Sequence, residues 1–550
     1  MASRPVAAAG TSGTKPTPHS RHAVRVTSAD LAHRHGCRGL TARSQRVRGH
    51  CFESVTRVSQ EQYTASRGSL HRIATDSEDE HMTTTAPAAG PATAPDATRG
   101  RILEDWRPED PVFWETTGRF IARRNLMFSI FSEHIGFSVW SLWSVLVLFL
   151  TPAYGFSADP KQMAAEKFLL TTLPTALGAG VRLPYTFAVA KFGGRNWTVV
   201  SALLLLVPTV AAAIVLSPGV SYSTLLVVAC LGGIGGGNFA SSMANINSFY
   251  PLRRKGFALG LNAGGGNIGV AVVQLVGLLV LATAGKEHPR VMLAVYIPLI
   301  VVAALCAALF MDNIADVRNE KRAMREASRE PQTWILSILY IGTFGSFIGF
   351  GFAFGQVLAD QFGAHFLTDG TVDAAKVAYL TFLGPLVGSL IRPLGGLLAD
   401  RIGGARTTFW NFVAMAVCGT VVLVASMQSS LPLFFVGFIA LFVLSGVGNG
   451  STYKMIPAVF RTAAQRRVAA GTDSAAADLG ARRMSHAVIG IAGAVGAFGG
   501  VLVNVAFRQS FLSDGTGNAA YIAFIAYYMI CAAITWTVYL RSSRRHLSGV

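Results

Sequence analysis

Residues 384–404 read GPLVGSLIRPLGGLLADRIGG, an apolar stretch with one arginine, Arg392, in its middle and charged residues near its end. A helix that crosses a lipid bilayer needs roughly 20 mostly apolar residues, and this stretch provides them. From about Met127 onward, comparable stretches follow one another with short breaks. The apolar runs are continuous rather than alternating, which argues against a β-barrel. The sequence therefore predicts an all-α membrane protein with many spans.

The composition agrees with this prediction. Of the 550 residues, 51% are hydrophobic and only 14% are charged, whereas a water-soluble domain carries about a quarter charged residues. The formal net charge of +18 would suggest nucleic-acid binding in a soluble protein, but here we expect the basic residues to lie in loops beside the lipid bilayer. The six cysteines are scattered and form no pairwise motif. We therefore expect no nucleic-acid partner, no metal and no cofactor.

The apolar runs predict twelve transmembrane helices. They cover about residues 127–151, 166–190, 197–217, 221–249, 256–284, 290–311, 333–358, 376–399, 407–427, 431–457, 485–507 and 519–540. Positively charged residues prefer cytoplasmic loops, and the most basic loops, such as 253–255 and 461–483, all fall on one side of the predicted membrane. Both termini are therefore expected in the cytoplasm, with the protein in the cell membrane.

Four regions follow from this pattern. Residues 1–110 are rich in Arg, Ser, Thr, Ala and His and poor in large apolar residues, which predicts a disordered basic tail. Alternatively, residues 1–81 are an extension created by a misplaced start codon, with Met82 as the true start. Residues 111–311 are predicted as an N-terminal six-helix half, 312–332 as a cytoplasmic linker and 333–550 as a C-terminal six-helix half.

The two predicted halves resemble each other, as in a transporter built from repeats. Predicted helices 2 and 8 carry Arg182 and Arg392. A glycine-rich run begins 51 residues after the first arginine, at Gly233, and 54 residues after the second, at Gly446. Twelve helices in two pseudo-symmetric halves are typical of the major facilitator architecture. The run GGLLADRIGG at 395–404 resembles that superfamily's loop signature between helices 8 and 9.

Arg182 and Arg392 are the most informative residues for function. An ionised side chain deep in a span is costly and usually faces a cavity or a partner. Among the acids, only Glu133 lies well inside a predicted span, and one carboxylate cannot neutralise two arginines. The cavity should therefore be net positive and bind an anion. A guanidinium group is planar and directs two donors toward planar oxyanions, which favours nitrate and nitrite.

Neutral residues complete the predicted site. Tyr340 and Phe344 lie one turn apart on helix 7, and Asn262, Asn267 and Asn449 offer uncharged donors within glycine-rich runs. Small residues let membrane helices approach closely and slide, so glycines of helices 5 and 11 are expected at moving contacts, or alternatively in static packing. These glycines are Gly260, Gly264, Gly265, Gly269, Gly493, Gly496 and Gly499.

A longer motif narrows the function. The run GGIGGGNFASSMANI at 232–246, continued by KGFALGLNAG at 255–264, resembles the nitrate signature of the NarK-type nitrate/nitrite porter family. The run GNGSTYKMIP at 448–457 adds to the resemblance, which covers about residues 115–541. By this resemblance, Arg182 and Arg392 match the family's arginines of helices 2 and 8. The further substrate contacts that the resemblance implies are Tyr340 and Phe344 on helix 7, Phe239 on helix 4 and Asn267 on helix 5.

Two coupling modes stay open. An empty occluded site would bury two arginines without matching acids, which is costly, and a bound anion relieves that cost. This favours alternating access with nitrate import coupled to nitrite export. Adjacent Glu133 and His134 on helix 1 would instead serve proton-coupled nitrate symport, unless they form a purely structural contact. A nitrate sensor without net transport is an alternative of another class. No catalytic constellation is present, so we do not expect an enzyme. We expect a monomeric transporter in the lipid bilayer.

Overall fold

The computed structural model describes residues 101–315 and 321–541. Within these ranges the chain forms long helices, numbered here α1 to α12. Their bounds are Arg119–Trp140 (α1), Pro160–Phe192 (α2), Gly194–Val215 (α3), Tyr222–Phe249 (α4), Leu252–Thr283 (α5), Pro289–Phe310 (α6), Pro331–Gln361 (α7), Ala374–Ile402 (α8), Gly404–Met427 (α9), Leu431–Ala469 (α10), Ser474–Asp514 (α11) and Asn518–Leu540 (α12). The predicted tail up to residue 100, including Met82, lies outside the described residues.

Short elements connect the long helices. A parallel pair of two-residue strands joins Ile102–Leu103 (β1) to Asn313–Ile314 (β2), and an antiparallel pair joins Leu367–Thr368 (β3) to Thr371–Val372 (β4). The short helical segments are Pro111–Phe113, Trp114–Gly118, Trp143–Leu146, Pro152–Tyr154, Lys321–Arg329 and Gly363–Phe366. Inside the long helices, α4 tightens to a 3₁₀ helix at Gly232–Gly237, and α7 widens to a π-helix at Ile341–Gly345.

Most of the long helices suit a lipid bilayer. Over the described residues, ten helices, α3 to α12, are long and apolar enough to cross a membrane. The other two are α1 and α2. α2 contains the predicted span 166–190, whereas α1 begins before the predicted span 127–151 and ends within it, and the later part of that span contains the short helix Trp143–Leu146. α1 and α2 carry the polar residues of interest, since Glu133 and His134 lie in α1 and Arg182 lies in α2. The chain is therefore a helical, multi-pass membrane protein.

The predicted bounds of helices 10 and 11 were also wrong where the two helices face each other in the chain. We predicted that helix 10 ends near 457 and that helix 11 begins near 485, but α10 continues to Ala469 and α11 begins at Ser474. Hydropathy detects only the apolar part of a helix, whereas the backbone stays helical until a residue breaks it. Here Gly471 has a φ of 97°, which favours glycine. The Asp473 side chain then caps α11 by accepting a bond from the amide of Ala476 at 2.8 Å.

The internal repeat is visible in two equivalent turns. α2 is joined to α3 through Gly193 alone, with a φ of 85°, and α8 is joined to α9 through Gly403 alone, with a φ of 96°. A positive φ is accessible to glycine at little cost, so both one-residue turns need this residue type. The sequence KFGGR at 191–195 and the loop signature at 395–404 thus form the same turn.

The two halves pack closely at one end of the bundle. Where α2 begins and α11 ends, the Lys161 ammonium donates to the carbonyl of Ser513 at 3.2 Å. Deeper, the Thr171 hydroxyl donates to Asn504 Oδ1 at 3.0 Å, and the ring of Phe168 stacks on that of Phe507 at 5.7 Å. We call this end, with its contacts between α2 and α11, the closed end.

The start and the finish of the N-terminal half are tied together. β1 pairs with β2, which directly follows α6. Next to this pair, the Asp312 carboxylate accepts from Arg124 Nη2 at 2.6 Å and from Asn125 Nδ2 at 2.7 Å. The Trp106 indole donates to the carbonyl of Ser248 at the end of α4, at 3.1 Å. Residues 101–110, the end of the predicted tail, therefore lie against the helices of this half.

Candidate anion site between two arginines

Arg182 of α2 lies in the interior, with 1% of its surface exposed. Its Nε donates to the carbonyl of Gly236 at 3.2 Å, and its Nη1 donates to the carbonyl of Gly493 at 2.9 Å. Nη2 has no partner within the described chain. The Gly236 carbonyl is near because α4 is built of glycines at this level, and a Cβ on Gly236 would lie 2.6 Å from the Cα of Gly178.

Arg392 of α8 holds the equivalent position in the C-terminal half and is 6% exposed. Its Nη2 donates to the hydroxyl of Tyr340 at 3.2 Å. Nη1 has no partner among the described residues. Over residues 101–315 and 321–541, neither arginine forms an ion pair with a carboxylate. Each half thus contributes one buried cation with a spare donor.

Aromatic rings lie between and around the two guanidinium groups. The ring of Phe344 is 5.2 Å from the guanidinium carbon of Arg182 and 6.0 Å from that of Arg392. The Phe239 ring is 4.6 Å from the guanidinium carbon of Arg182. Tyr340 stacks on Phe344 at 5.1 Å, nearly parallel to it. The structure therefore brings together five residues that the sequence singled out, from α2, α4, α7 and α8.

This arrangement suits an oxyanion. A buried donor without an acceptor costs about 1–3 kcal/mol, and the site holds one such donor on each arginine. An anion with at least two oxygens could accept from both. Charge-assisted bonds of this kind are the strong ones. The flat rings of Tyr340 and Phe344 also favour a flat ligand over a tetrahedral one.

The predicted asparagines fall into two groups. Asn267 and Asn449 are buried, and neither amide atom of either residue has a partner in the described chain. Asn262 instead donates through Nδ2 to Glu133 Oε2 at 2.6 Å and to the Ser242 hydroxyl at 2.5 Å. Asn262 is therefore engaged in a different polar cluster, whereas Asn267 and Asn449 retain their full hydrogen-bonding capacity.

The two candidates for proton coupling do not contact the same groups. Glu133 is 1% exposed, and its Oε2 accepts from Ser242 at 2.5 Å in addition to Asn262. His134 is partly buried, and its Nδ1 lies 3.3 Å from the carbonyl of Gly265. Consecutive helical residues point in different directions, so adjacency in the sequence does not make them a pair.

The predicted glycines also separate by environment. A Cβ on Gly265 would meet Ile130 and one on Gly269 would meet the carbonyl of His134, so both pack against α1 in their own half. Gly260 and Gly264 have open space at this position. On α11, Gly496 packs against Tyr340 and Gly499 packs against Gly345. A Cβ on Gly493 would lie 3.7 Å from the ring of Phe239, in the other half.

Sequence reasoning missed two aromatic residues of the site. The Tyr453 ring lies 5.6 Å from the guanidinium carbon of Arg392, and the Trp140 ring lies 5.2 Å from that of Arg182. Tyr453 was detectable, since it stands one helical turn after Asn449 within the quoted run 448–457. Trp140 gave no such signal, because many aromatic residues occur in the apolar runs.

A cavity of about 730 Å³ connects the site with the end of the bundle opposite the closed end. Arg182, Phe239 and Tyr453 line its inner part, and Lys255 and Arg482 line it where α5 and α11 begin. We call this the basic end. The structure is thus closed at one end and accessible from the other, as expected for one state of an alternating-access carrier.

Comparison with known proteins agrees with this architecture. A family model of the Major Facilitator Superfamily matches residues 126–503. The solved D-xylose-proton symporter superposes with a TM-score of 0.55 over 76% of this chain and 97% of that chain, at 12% sequence identity. The xylose transporter XylE from E. coli, in a partially occluded inward-open conformation, gives a TM-score of 0.56 at 11% identity over 76% of this chain and 98% of that chain. At such identities the similarity concerns the fold alone.

Sequence relatives are much closer. The chain is 37% identical over 462 residues to the nitrate/nitrite transporter NarU of Salmonella typhimurium, across 80% of this chain and 96% of that relative. It is 31% identical over 468 residues to the probable nitrate/nitrite antiporter NarK2 of Thermus thermophilus, across 81% of this chain and 98% of that relative. The chain therefore belongs to the Major Facilitator Superfamily and, within it, to the NarK-type nitrate/nitrite porter family.

Proposed function

We propose that this protein transports nitrate and nitrite by alternating access, with the anion held between Arg182 and Arg392. The observation that carries the proposal is the pair of buried guanidinium groups, one from each half, each with a donor left over and no carboxylate partner among the described residues. The printed names of the relatives, nitrate/nitrite transporter and antiporter, support the same substrates. Asn267 and Asn449 would supply neutral donors as the halves close on the anion.

Exchange of nitrate for nitrite is the coupling mode that we favour, with nitrate imported. Without an anion the two arginines leave unpaired positive charge in a low-dielectric interior, and occluding that charge is costly. A bound anion offsets part of it, so the loaded carrier should reorient more easily than the empty one. Proton-coupled nitrate symport is the second candidate, because Glu133 is a buried carboxyl group within the same half as Arg182.

The membrane arrangement belongs to the same proposal. We place α1 and α2 across the bilayer with the other ten helices, which gives twelve spans with both termini in the cytoplasm. The basic end then faces the cytoplasm, as the excess of Lys and Arg there favours. With this orientation the structure is open to the cytoplasm and closed toward the outside. A single chain contains both arginines, so a monomer is sufficient for transport.

Counterflow in proteoliposomes tests the proposal. Vesicles loaded with nitrite, nitrate or neither are assayed for uptake of labelled nitrate, with and without an inward proton gradient. Uptake that needs an internal anion and ignores the gradient is expected for exchange, whereas gradient-driven uptake into empty vesicles would establish symport. Saturable nitrate binding without uptake would indicate a sensor. No binding or uptake by folded protein would refute the substrate.

Lysine variants test the site itself. Arg182→Lys and Arg392→Lys keep the charge but lose the forked donors, and a charge-assisted hydrogen bond contributes about 1.5–3 kcal/mol. Each variant should therefore bind nitrate roughly ten- to a hundredfold more weakly, as measured by titration calorimetry. Arg322→Lys, on the exposed linker helix with 93% of its side chain accessible, is the matched control and should bind like the wild type.

A further inference from the structure

A second polar site lies inside the N-terminal half, apart from the anion site. Eight side chains line a pocket of about 10 Å³ there, and all eight are polar. They are Ser129, Ser132 and Glu133 of α1, Thr198 and Ser201 of α3, and Asn238, Ser241 and Ser242 of α4. Each of them is buried. Cavities that stay empty in proteins are apolar, whereas a polar cavity of this size can hold about one water molecule.

Two residues of the pocket, Glu133 and Asn238, have polar atoms without a hydrogen-bond partner in the described chain. Glu133 Oε1 has no partner in the described chain, although Oε2 accepts from two donors. Both amide atoms of Asn238 are also without a partner there. Unpaired buried polar groups are expensive. One water molecule could accept from Asn238 Nδ2 and donate to Glu133 Oε1, which would pair one atom of each residue.

We infer that Glu133 and this water form a proton-binding site that is coupled to the anion site, and that His134 is not part of it. The inference rests on the proposed nitrate/nitrite transport and is compatible with exchange, since nitrate and nitrite would then each bind together with a proton. In the step itself, a hydronium ion of the solvent gives up its proton through the pocket water to Oε1 of the Glu133 carboxylate, which leaves water and the neutral acid. The new O–H then donates to the pocket water or to Asn238 Oδ1, and on release the proton returns through the pocket water to a water molecule of the solvent.

Charge couples the two sites. The charged and titratable groups that act on Glu133 from other helices are Arg182 of α2, Arg392 of α8 and Tyr453 of α10. The polar groups that α3, α4 and α5 present to it are hydroxyls and amides, and the neighbouring His134 bonds to Gly265. An ionised Glu133 offsets one of the two arginine charges, whereas a protonated one does not. The anion should therefore bind more tightly when Glu133 is protonated.

The backbone of α4 offers a second connection. Asn238 lines the pocket, the ring of the next residue, Phe239, lies 4.6 Å from Arg182, and the carbonyl of Gly236 accepts from Arg182 Nε. The 3₁₀ segment Gly232–Gly237 ends directly before Asn238, and such segments inside long helices often mark hinges. A change in the hydrogen bonds of Asn238 would therefore move the α4 groups that contact the guanidinium group of Arg182.

Coupling between two binding sites is reciprocal, which gives two measurements on the full chain in detergent. Nitrate affinity is measured across the pH range in which the protein stays folded. Proton uptake on nitrate addition is measured with an indicator dye in weak buffer. The wild type should bind nitrate about fivefold or more tightly at the acid end of the range, and it should take up protons when nitrate is added.

Three variants test which residue causes the pH dependence of nitrate affinity. Glu133→Gln mimics the protonated acid, so its nitrate affinity should stay at the acid-side value at every pH, without proton uptake. His134→Gln should keep the wild-type pH dependence. Glu115→Gln, which removes a half-exposed carboxylate, is the matched control and should keep it as well.

Two results would overturn the inference: pH-dependent affinity that survives in Glu133→Gln, or its loss in His134→Gln. If Glu133→Gln does not fold, proton uptake by the wild type is the deciding measurement. Nitrate binding without proton uptake at any pH contradicts the linkage. Absence of nitrate binding by the folded wild type at every pH would instead refute the proposed function.

Discussion

Phe344 is the residue at which the two halves of the anion site meet. Its ring lies within 5.2 Å of one guanidinium carbon and 6.0 Å of the other, and it belongs to neither arginine's helix. The face of an aromatic ring carries partial negative charge, so it attracts both cations at once. A phenylalanine can thereby moderate the repulsion between two arginines without competing for the anion as a carboxylate would.

Replacement of Phe344 tests this role. A cation–π contact is worth about 0.5–2 kcal/mol, so Phe344→Leu should weaken nitrate binding several-fold. Phe350→Leu is the matched control, because Phe350 is also fully buried on α7 but packs on Phe438, Phe442 and Phe524. Calorimetric titration of both variants with nitrate decides. Equal affinities would show that Phe344 only fills space.

What the sequence could predict at this scale depends on how rare each residue is in its surroundings. An arginine inside an apolar run is conspicuous, so Arg182 and Arg392 were identified from the sequence. A tryptophan among many aromatic residues is not, and Trp140 was missed. The grouping of Glu133 with His134 relied on adjacency in the chain. On a helix, residues three or four apart are the neighbours, and Glu133 indeed bonds to α4 and α5 instead.

At the scale of elements, α11 shows how small residues set helix distances. Gly499 faces the Cα of Gly345 on α7, and a Cβ at Gly499 would lie 2.8 Å from that atom. The contact joins two helices of the same half. On α5, by contrast, a Cβ at Gly260 would have no neighbouring atom within 4 Å. Glycine-rich helices look alike in sequence, but only the packing distinguishes a close contact from an open surface.

Alanine substitution should separate the two kinds of glycine. Gly499→Ala forces two backbones apart, and overpacking of this kind costs about 1–3 kcal/mol. Gly260→Ala meets no atom and gains about 0.5–1 kcal/mol from the lower flexibility of the unfolded chain. Thermal unfolding in detergent should therefore show a lower midpoint for the first variant and an unchanged or higher one for the second. The reverse order would contradict the packing described for α11.

At the scale of the whole molecule, the site is reached from the basic end while the closed end is held by contacts between α2 and α11. Alternating access requires these contacts to break as the other end closes. The contacts include single hydrogen bonds, such as the one between Thr171 and Asn504 at 3.0 Å. Bonds of this kind each contribute only about 0.5–1.5 kcal/mol, which suits a contact that must open in every cycle.

A covalent link across the closed end should stop transport. In Thr171→Cys/Asn504→Cys, a short bis-maleimide should join α2 to α11 and abolish nitrate counterflow in proteoliposomes. The single variants Thr171→Cys and Asn504→Cys, treated in the same way, are the controls and should remain active. The intact chain migrates as one band in either case, so mass spectrometry of the digested protein verifies the link. Full activity of the linked double variant would exclude opening at this end.

The bond between Arg182 and the Gly493 carbonyl joins the anion site to the opposite half. This carbonyl belongs to α11 and accepts from Nη1 at 2.9 Å. It fixes the direction of the guanidinium group and leaves Nη2 for an arriving oxyanion. The side chain that receives the anion is thus anchored to both halves. Rocking of the halves therefore acts on the receiving group itself, and anion binding and reorientation share one side chain.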